Sequence, residues 1–116
     1  MKIQNYQDVP ELKMESDKVK GVSGCVVIGK EDEANNFCMR VFTIEPGGFT
    51  PRHTHEWEHE VFVHSGKGQV YQNGEWRDLV SGTVVFIPGG EEHQFMNAGA
   101  EDFVFICLIP SGVDEI

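Results

Sequence analysis

At 116 residues and a net charge of −10, from 19 acidic against 9 basic side chains, the chain presents a surface that repels nucleic acid and anionic membranes. Its 40% hydrophobic and 24% charged residues describe one globular domain, long enough to bury roughly two-thirds of its unfolded surface. Cys25, Cys38 and Cys107 are odd in number and show no Cys-x-x-Cys spacing, which argues against a disulfide framework or a zinc knuckle and fits small buried thiols in a reducing cytoplasm.

The first segment, MKIQNYQDVPELKM, is too polar for a signal peptide, and no apolar run approaches membrane-spanning length. Residues 1–20 read as an arm that packs on the barrel or on a partner subunit, and residues 21–116 as the domain itself. From there the chain is a series of strand-like runs at 25–28, 37–45, 49–55, 59–64, 68–72, 76–80, 83–87, 93–97 and 102–110. Turn signals separate them: Pro46-Gly47-Gly48, Ser65-Gly66, Asn73-Gly74, Ser81-Gly82 and Pro88-Gly89-Gly90. Asn73-Gly74 between two such runs predicts a type I′ hairpin. No segment carries a three-turn amphipathic helix. Many short strands at close spacing predict an all-β antiparallel sandwich or small barrel, wide enough to hold one small ligand.

Four of the five histidines fall where one metal ion could collect them. His53, His55 and His59 lie in GGFTPRHTHEWEHEVFVHSG, and His93 in GTVVFIPGGEEHQFMN. On an extended 49–55 strand His53 and His55 share a face, because side chains alternate with period two. On the next run His59, Val61 and Val63 share one face, while Glu60, Phe62 and His64 share the other. If His59 turns inward, His64 is a surface histidine and Glu60 points away. Imidazole is the commonest side-chain metal ligand, so the four together predict a metal centre.

The same two segments resemble the two signature motifs of the cupin superfamily. Gly47, five residues, His53-Thr54-His55, three residues, His59, six residues and Gly66 follow the first motif, with histidine where the family usually places glutamate. Gly82, Pro88, Gly90, His93 and Asn97 match every element of the second. The resemblance implies a single-domain jelly-roll β-barrel (a double-stranded β-helix). It also implies a four-histidine site of the kind found in a subset of small bacterial cupins. Glu60 is the alternative ligand, separated from His55 by four residues, but its spacing to Gly66 is one residue short.

Four neutral imidazoles cancel none of an ion's charge and leave two adjacent octahedral positions open. Such a centre favours an anionic oxygen ligand. All-nitrogen ligation suits zinc, copper, iron or nickel, and the resemblance adds manganese and places it with iron ahead of the others, one divalent ion per chain. Around the ion an apolar pocket is expected. His93 carries Phe95 on its face, and on the last run Phe103, Phe105, Cys107 and Ile109 form the set assigned to the interior. Arg40, on a face with Cys38, Phe42 and Ile44, is either an ion-paired or solvent-reaching side chain or the partner of a substrate carboxylate. Cys107 reads as a packed thiol or a soft ligand. Trp57 and Trp76 read as rim or packing residues. Glu56, Glu58, Glu91 and Glu92 either orient imidazole N–H groups or are simply exposed.

Three functions follow from these residues. The first is a metal-dependent, dioxygenase-like oxidoreductase acting on a small organic molecule. The second is a Lewis-acid lyase or isomerase acting on a sugar or carboxylate. The third is a binding module without turnover. A homodimer is expected, both by resemblance and because the long apolar last run and the N-terminal arm offer more edge and apolar surface than one small barrel covers.

Overall fold

Alternation of β-branched and aromatic residues with polar ones produces nine strands and no α-helix. A computed structural model describes residues 1–116. The strands are β1 (Leu12–Met14), β2 (Lys20–Ile28), β3 (Phe37–Phe49), β4 (His59–Ser65), β5 (Gly68–Gln72), β6 (Glu75–Leu79), β7 (Val84–Ile87), β8 (Gln94–Met96) and β9 (Phe103–Pro110). The helical content is two single 3₁₀ turns, Tyr6–Asp8 and Lys30–Asp32. Asn73 and Gly74 both take positive φ, +48° and +82°, and bring Gln72 opposite Glu75 in the expected tight hairpin.

All pairings are antiparallel, in the order β6-β5-β8-β3-β9-β4-β7, with β2 and β1 added on the other side of β3. β3 bends at Pro46-Gly47-Gly48. Its first part, from Phe37 to Ile44, pairs with β9, and beyond the bend Phe49 pairs with Met96 of β8. That bend curls the sheet into a jelly roll. Asn97 secures it: fully buried, its Nδ2 donates to the carbonyls of Ile44 (2.8 Å) and Glu101 (2.7 Å), and its Oδ1 accepts from the Gly99 N–H (2.9 Å). A buried amide with every strong partner supplied fixes a unique geometry.

The interior set of β9 is the one expected. Phe103, Phe105, Cys107 and Ile109 are buried with Val61 and Val63 of β4 and with Ile44 of β3. A smaller second cluster, Cys25, Val41 and Val104, lies on the outer face beneath Tyr6 and Val9 of the N-terminal segment. All three cysteines are free and buried.

Two expectations are corrected. Residues 50–58 form no strand; their ladder is the single bridge His53–His93. Pro51 has no N–H to donate to a ladder, and residues 54–58 must turn the chain from β3 into β4. The last strand also offers no free edge, because β9 is paired on both sides, with β3 and β4. Its outward residues Ile106 and Leu108 line an apolar surface groove with Phe62, Val84 and Phe86.

Candidate metal centre

His53 and His93 are joined backbone to backbone, each N–H donating to the other's carbonyl at 3.1 and 3.0 Å. His55 is placed by the facing Pro-Gly-Gly loop: the Gly90 N–H donates to the His55 carbonyl at 2.7 Å. That loop requires its glycines. A Cβ on Gly89 would collide with the Glu56 carbonyl oxygen, and Gly90 sits at φ +83°. His59 comes from the first position of β4 and turns inward with Val61 and Val63, while Glu60 and His64 are exposed.

The ligand atoms of His53, His55 and His93 all lie within 4.8 Å of one another. His59 adjoins them, its Nε2 2.7 Å from His55 Nε2 and its ring centroid 5.0 Å from that of His93. Two of the rings are held from behind by main-chain carbonyls. His55 Nδ1 donates to the Trp57 carbonyl (2.8 Å) and His93 Nδ1 to the Glu91 carbonyl (2.9 Å). With Nδ1 so occupied, Nε2 of each carries the lone pair toward the others. Backbone carbonyls thus orient these rings, not the carboxylates of Glu56, Glu58, Glu91 or Glu92. Burial disfavours the charged form of three of the rings. His53, also beside His93 and His55, is held down to about 4, and His59, also beside Arg40 and the other histidines, down to about 3. His93 is lowered too, against the opposing effect of its hydrogen bond to the Glu91 carbonyl. At neutral pH these three offer lone pairs, as a metal requires. The donor set therefore fits a divalent ion.

The histidines open onto a cavity of about 330 Å³ whose lining includes Arg40, Phe95, Phe105 and Cys107 together with Phe42 and Trp57. Phe95 and Phe105 are stacked with centroids 4.7 Å apart. Cys107 lies behind His59 rather than among the ring nitrogens that face each other: its Sγ is 3.1 Å from His59 Nδ1. Burial raises its thiol pKa, against the lowering effect of Arg40. Arg40 is buried, only 7% exposed. Its Nη2 reaches Cys107 Sγ at 3.0 Å, its Nη1 donates to the Glu115 carbonyl at 3.2 Å, and its Nε has no partner. The chain's one ion pair is Lys2–Asp32, so Arg40 is neither ion-paired nor solvent-reaching.

Trp57, expected as a rim or packing residue, stacks on His55, centroids 4.3 Å apart and planes 6° from parallel. Trp76 is remote, near Tyr71 and Arg52. Met14 and Val19 from the N-terminal segment and Asp114 and Ile116 from the last residues also line the cavity, and nothing in their local pattern marks them.

Residues 40–109 match the cupin domain family, a span from Arg40 through both histidine segments to the last strand. The chain belongs to the cupin family. Among solved structures this cupin is similar to the polyketide cyclase RemF from Streptomyces resistomycificus, with a TM-score of 0.89 and 30% identity over 95% of this chain and 79% of that one. It is 33% identical over 67 residues to an oxalate-binding protein of Thermotoga maritima, covering 57% of this chain and 55% of that protein. It is 27% identical over 77 residues to 1-methylthio-D-xylulose 5-phosphate methylsulfurylase of Rhodospirillum rubrum, covering 66% of this chain and 49% of that protein. The chain spans about half the length of the curated relatives it matches. No helix is long and apolar enough to cross a membrane.

Proposed function

We propose that this cupin is a metal-dependent enzyme in which His53, His55, His59 and His93 hold one divalent ion, manganese or iron first and zinc, copper or nickel as alternatives. The ion would supply Lewis acidity toward the oxygen of a small organic molecule. The preferred substrate class is anionic or enolisable, a carboxylate or a β-dicarbonyl, and the reaction a non-oxidative one of the lyase or isomerase type. The observation that carries this reading is the charge balance beside the histidines. The ligand set contains no carboxylate, and none lies within ion-pair distance of the buried Arg40 guanidinium. A buried cation demands a counter-charge, and an anionic substrate in the cavity provides it. Phe42, Phe95, Phe105 and Trp57 would exclude water and hold the substrate's apolar part. The names of the relatives, a polyketide cyclase, an oxalate-binding protein and a methylsulfurylase, support small polar organic substrates without requiring oxygen.

A dioxygenase-like oxidoreductase is the second reading, favoured by the aromatic walls, which suit a flat electron-rich substrate. The test is elemental analysis of the protein from unsupplemented medium, followed by incubation with carboxylate and β-dicarbonyl panels under air and under nitrogen. Product formed equally in both atmospheres supports the Lewis-acid reading. Product that requires air and vanishes on zinc substitution supports the oxidoreductase. A ligand-dependent rise in melting temperature without product makes this cupin a binding module.

We further propose that it works in the cytoplasm as a homodimer, joined through the outer face of β4 and β7. There Phe62, Val84 and Phe86 are 47%, 72% and 58% exposed, an apolar surface larger than scattered single residues. Sedimentation at micromolar concentration tests this, and a monomer there rejects it.

A further inference from the structure

His59 differs from its neighbours in what stands behind it. His55 and His93 are tied back by main-chain carbonyls, acceptors that no side-chain substitution removes. His59 Nδ1 meets two side chains: Cys107 Sγ at 3.1 Å and Arg40 Nη2 at 3.4 Å. A guanidinium has five donors and no acceptor. When Nδ1 lacks a proton, Arg40 can donate to it, and Nε2–H then points at His55 Nε2, 2.7 Å away. In that tautomer His59 has no lone pair for an ion. The ligating tautomer carries its proton on Nδ1 and needs an acceptor there. Cys107 Sγ is the acceptor within reach, and Arg40 Nη2 approaches that same sulfur at 3.0 Å.

We propose that Cys107 is a positioning residue for the metal centre: its sulfur accepts the Nδ1 proton of His59, and Arg40, donating to the same sulfur, holds it in place. The inference rests on the four-histidine reading above. It assigns to a side chain that reads in sequence as packing, or as a soft ligand, the control of whether the fourth histidine can bind. The pair Arg40–Cys107 comes from the facing residues of β3 and β9, so the support is built into the core of the sheet rather than into a loop. This geometry makes His59 the ligand that a side-chain change can switch off while His55 and His93 keep the main-chain carbonyls that orient them.

The experiment is cobalt(II) titration of the metal-free protein, read by visible ligand-field absorption and by competition with a chelator. Wild type, Cys107→Val, Cys107→Ser and Cys38→Val are compared, the last a buried thiol of the same core. Removing a group that orients a ligand typically lowers metal affinity by about 10- to 100-fold, and that loss, with a changed band shape, is expected for C107V. C107S restores affinity and spectrum because its hydroxyl also accepts, and C38V behaves as wild type. C107V binding cobalt(II) with wild-type affinity and spectrum overturns the proposal while leaving the metal centre intact. Failure of the wild type to bind cobalt(II) overturns both. A measurement independent of variants is ¹⁵N NMR of the zinc-loaded wild type, in which His59 must carry its proton on Nδ1; a bare Nδ1 rejects the proposal even if C107V fails to fold.

Discussion

β4 places two chemistries back to back. Its inner face presents His59, Val61 and Val63, all buried, and its outer face Glu60, Phe62 and His64, all exposed. One residue of register separates a candidate ligand from a solvated carboxylate. What decides between them is the pleat: an inward Glu60 would require Val61 and Val63 to turn outward and would empty the core beneath β9. The difference teaches that which side chain faces the histidine cluster at this position is set by packing several residues further along the strand.

The comparison is broken most directly at the metal. His59→Ala should reduce metal content to background while Glu60→Ala keeps the wild-type level, as read by elemental analysis. The reverse result would mean that the strand's register differs from the one described. Next in size is core against surface. Phe103→Ala, at a fully buried site on the inner face of β9, should cost about 3–5 kcal/mol of stability. Phe62→Ala on the outer face of β4, read at a concentration where the protein is monomeric, should stay within about 0.5 kcal/mol. Chemical denaturation measures both.

A smaller effect comes from protons. His53, His59 and His93 have folded-state pKa values held below the ordinary histidine value, mainly by burial. The unfolded chain therefore binds more protons than the folded one as pH falls below about 6.5. Stability of the metal-free protein should be complete above that pH and decline toward pH 4, and replacing His59 with Asn should flatten the slope. The smallest effect is on the outer face, where Phe86→Ser should shift the proposed dimer toward monomer without altering metal content.

Much of the architecture was legible because period-two alternation in 59–64 leaves one register that buries Val61 and Val63. In 102–110 both faces are apolar, and pairing with β3 and β4 decides that Phe103, Phe105, Cys107 and Ile109 turn inward. The Asn73-Gly74 hairpin was legible because its backbone demands those residues. The 50–58 segment was not. Pro51 and a single two-bond bridge, His53–His93, replace the strand that a His-x-His pair invites, yet both histidines still reach the same point. The Arg40–Cys107 contact was half legible: the sequence assigns Cys107 to the interior but leaves Arg40 either ion-paired or solvent-reaching or facing a substrate carboxylate, and their pairing depends on β3 and β9 being neighbours. The approach of Asp114 and Ile116 depends on the Glu115 carbonyl meeting the Arg40 guanidinium, a long-range contact with no local pattern.

Trp57 lies flat on His55, and the second tryptophan, Trp76, lies away from the cavity. Any ion that draws on the His55 ring must alter the electronic surroundings of one indole and leave the other as an internal standard. The molecule thus carries its own optical gauge. Emission from Trp57 should dim when a paramagnetic ion arrives and recover when a chelator removes it. Occupancy could then be followed in real time, in an unlabelled protein, by light alone.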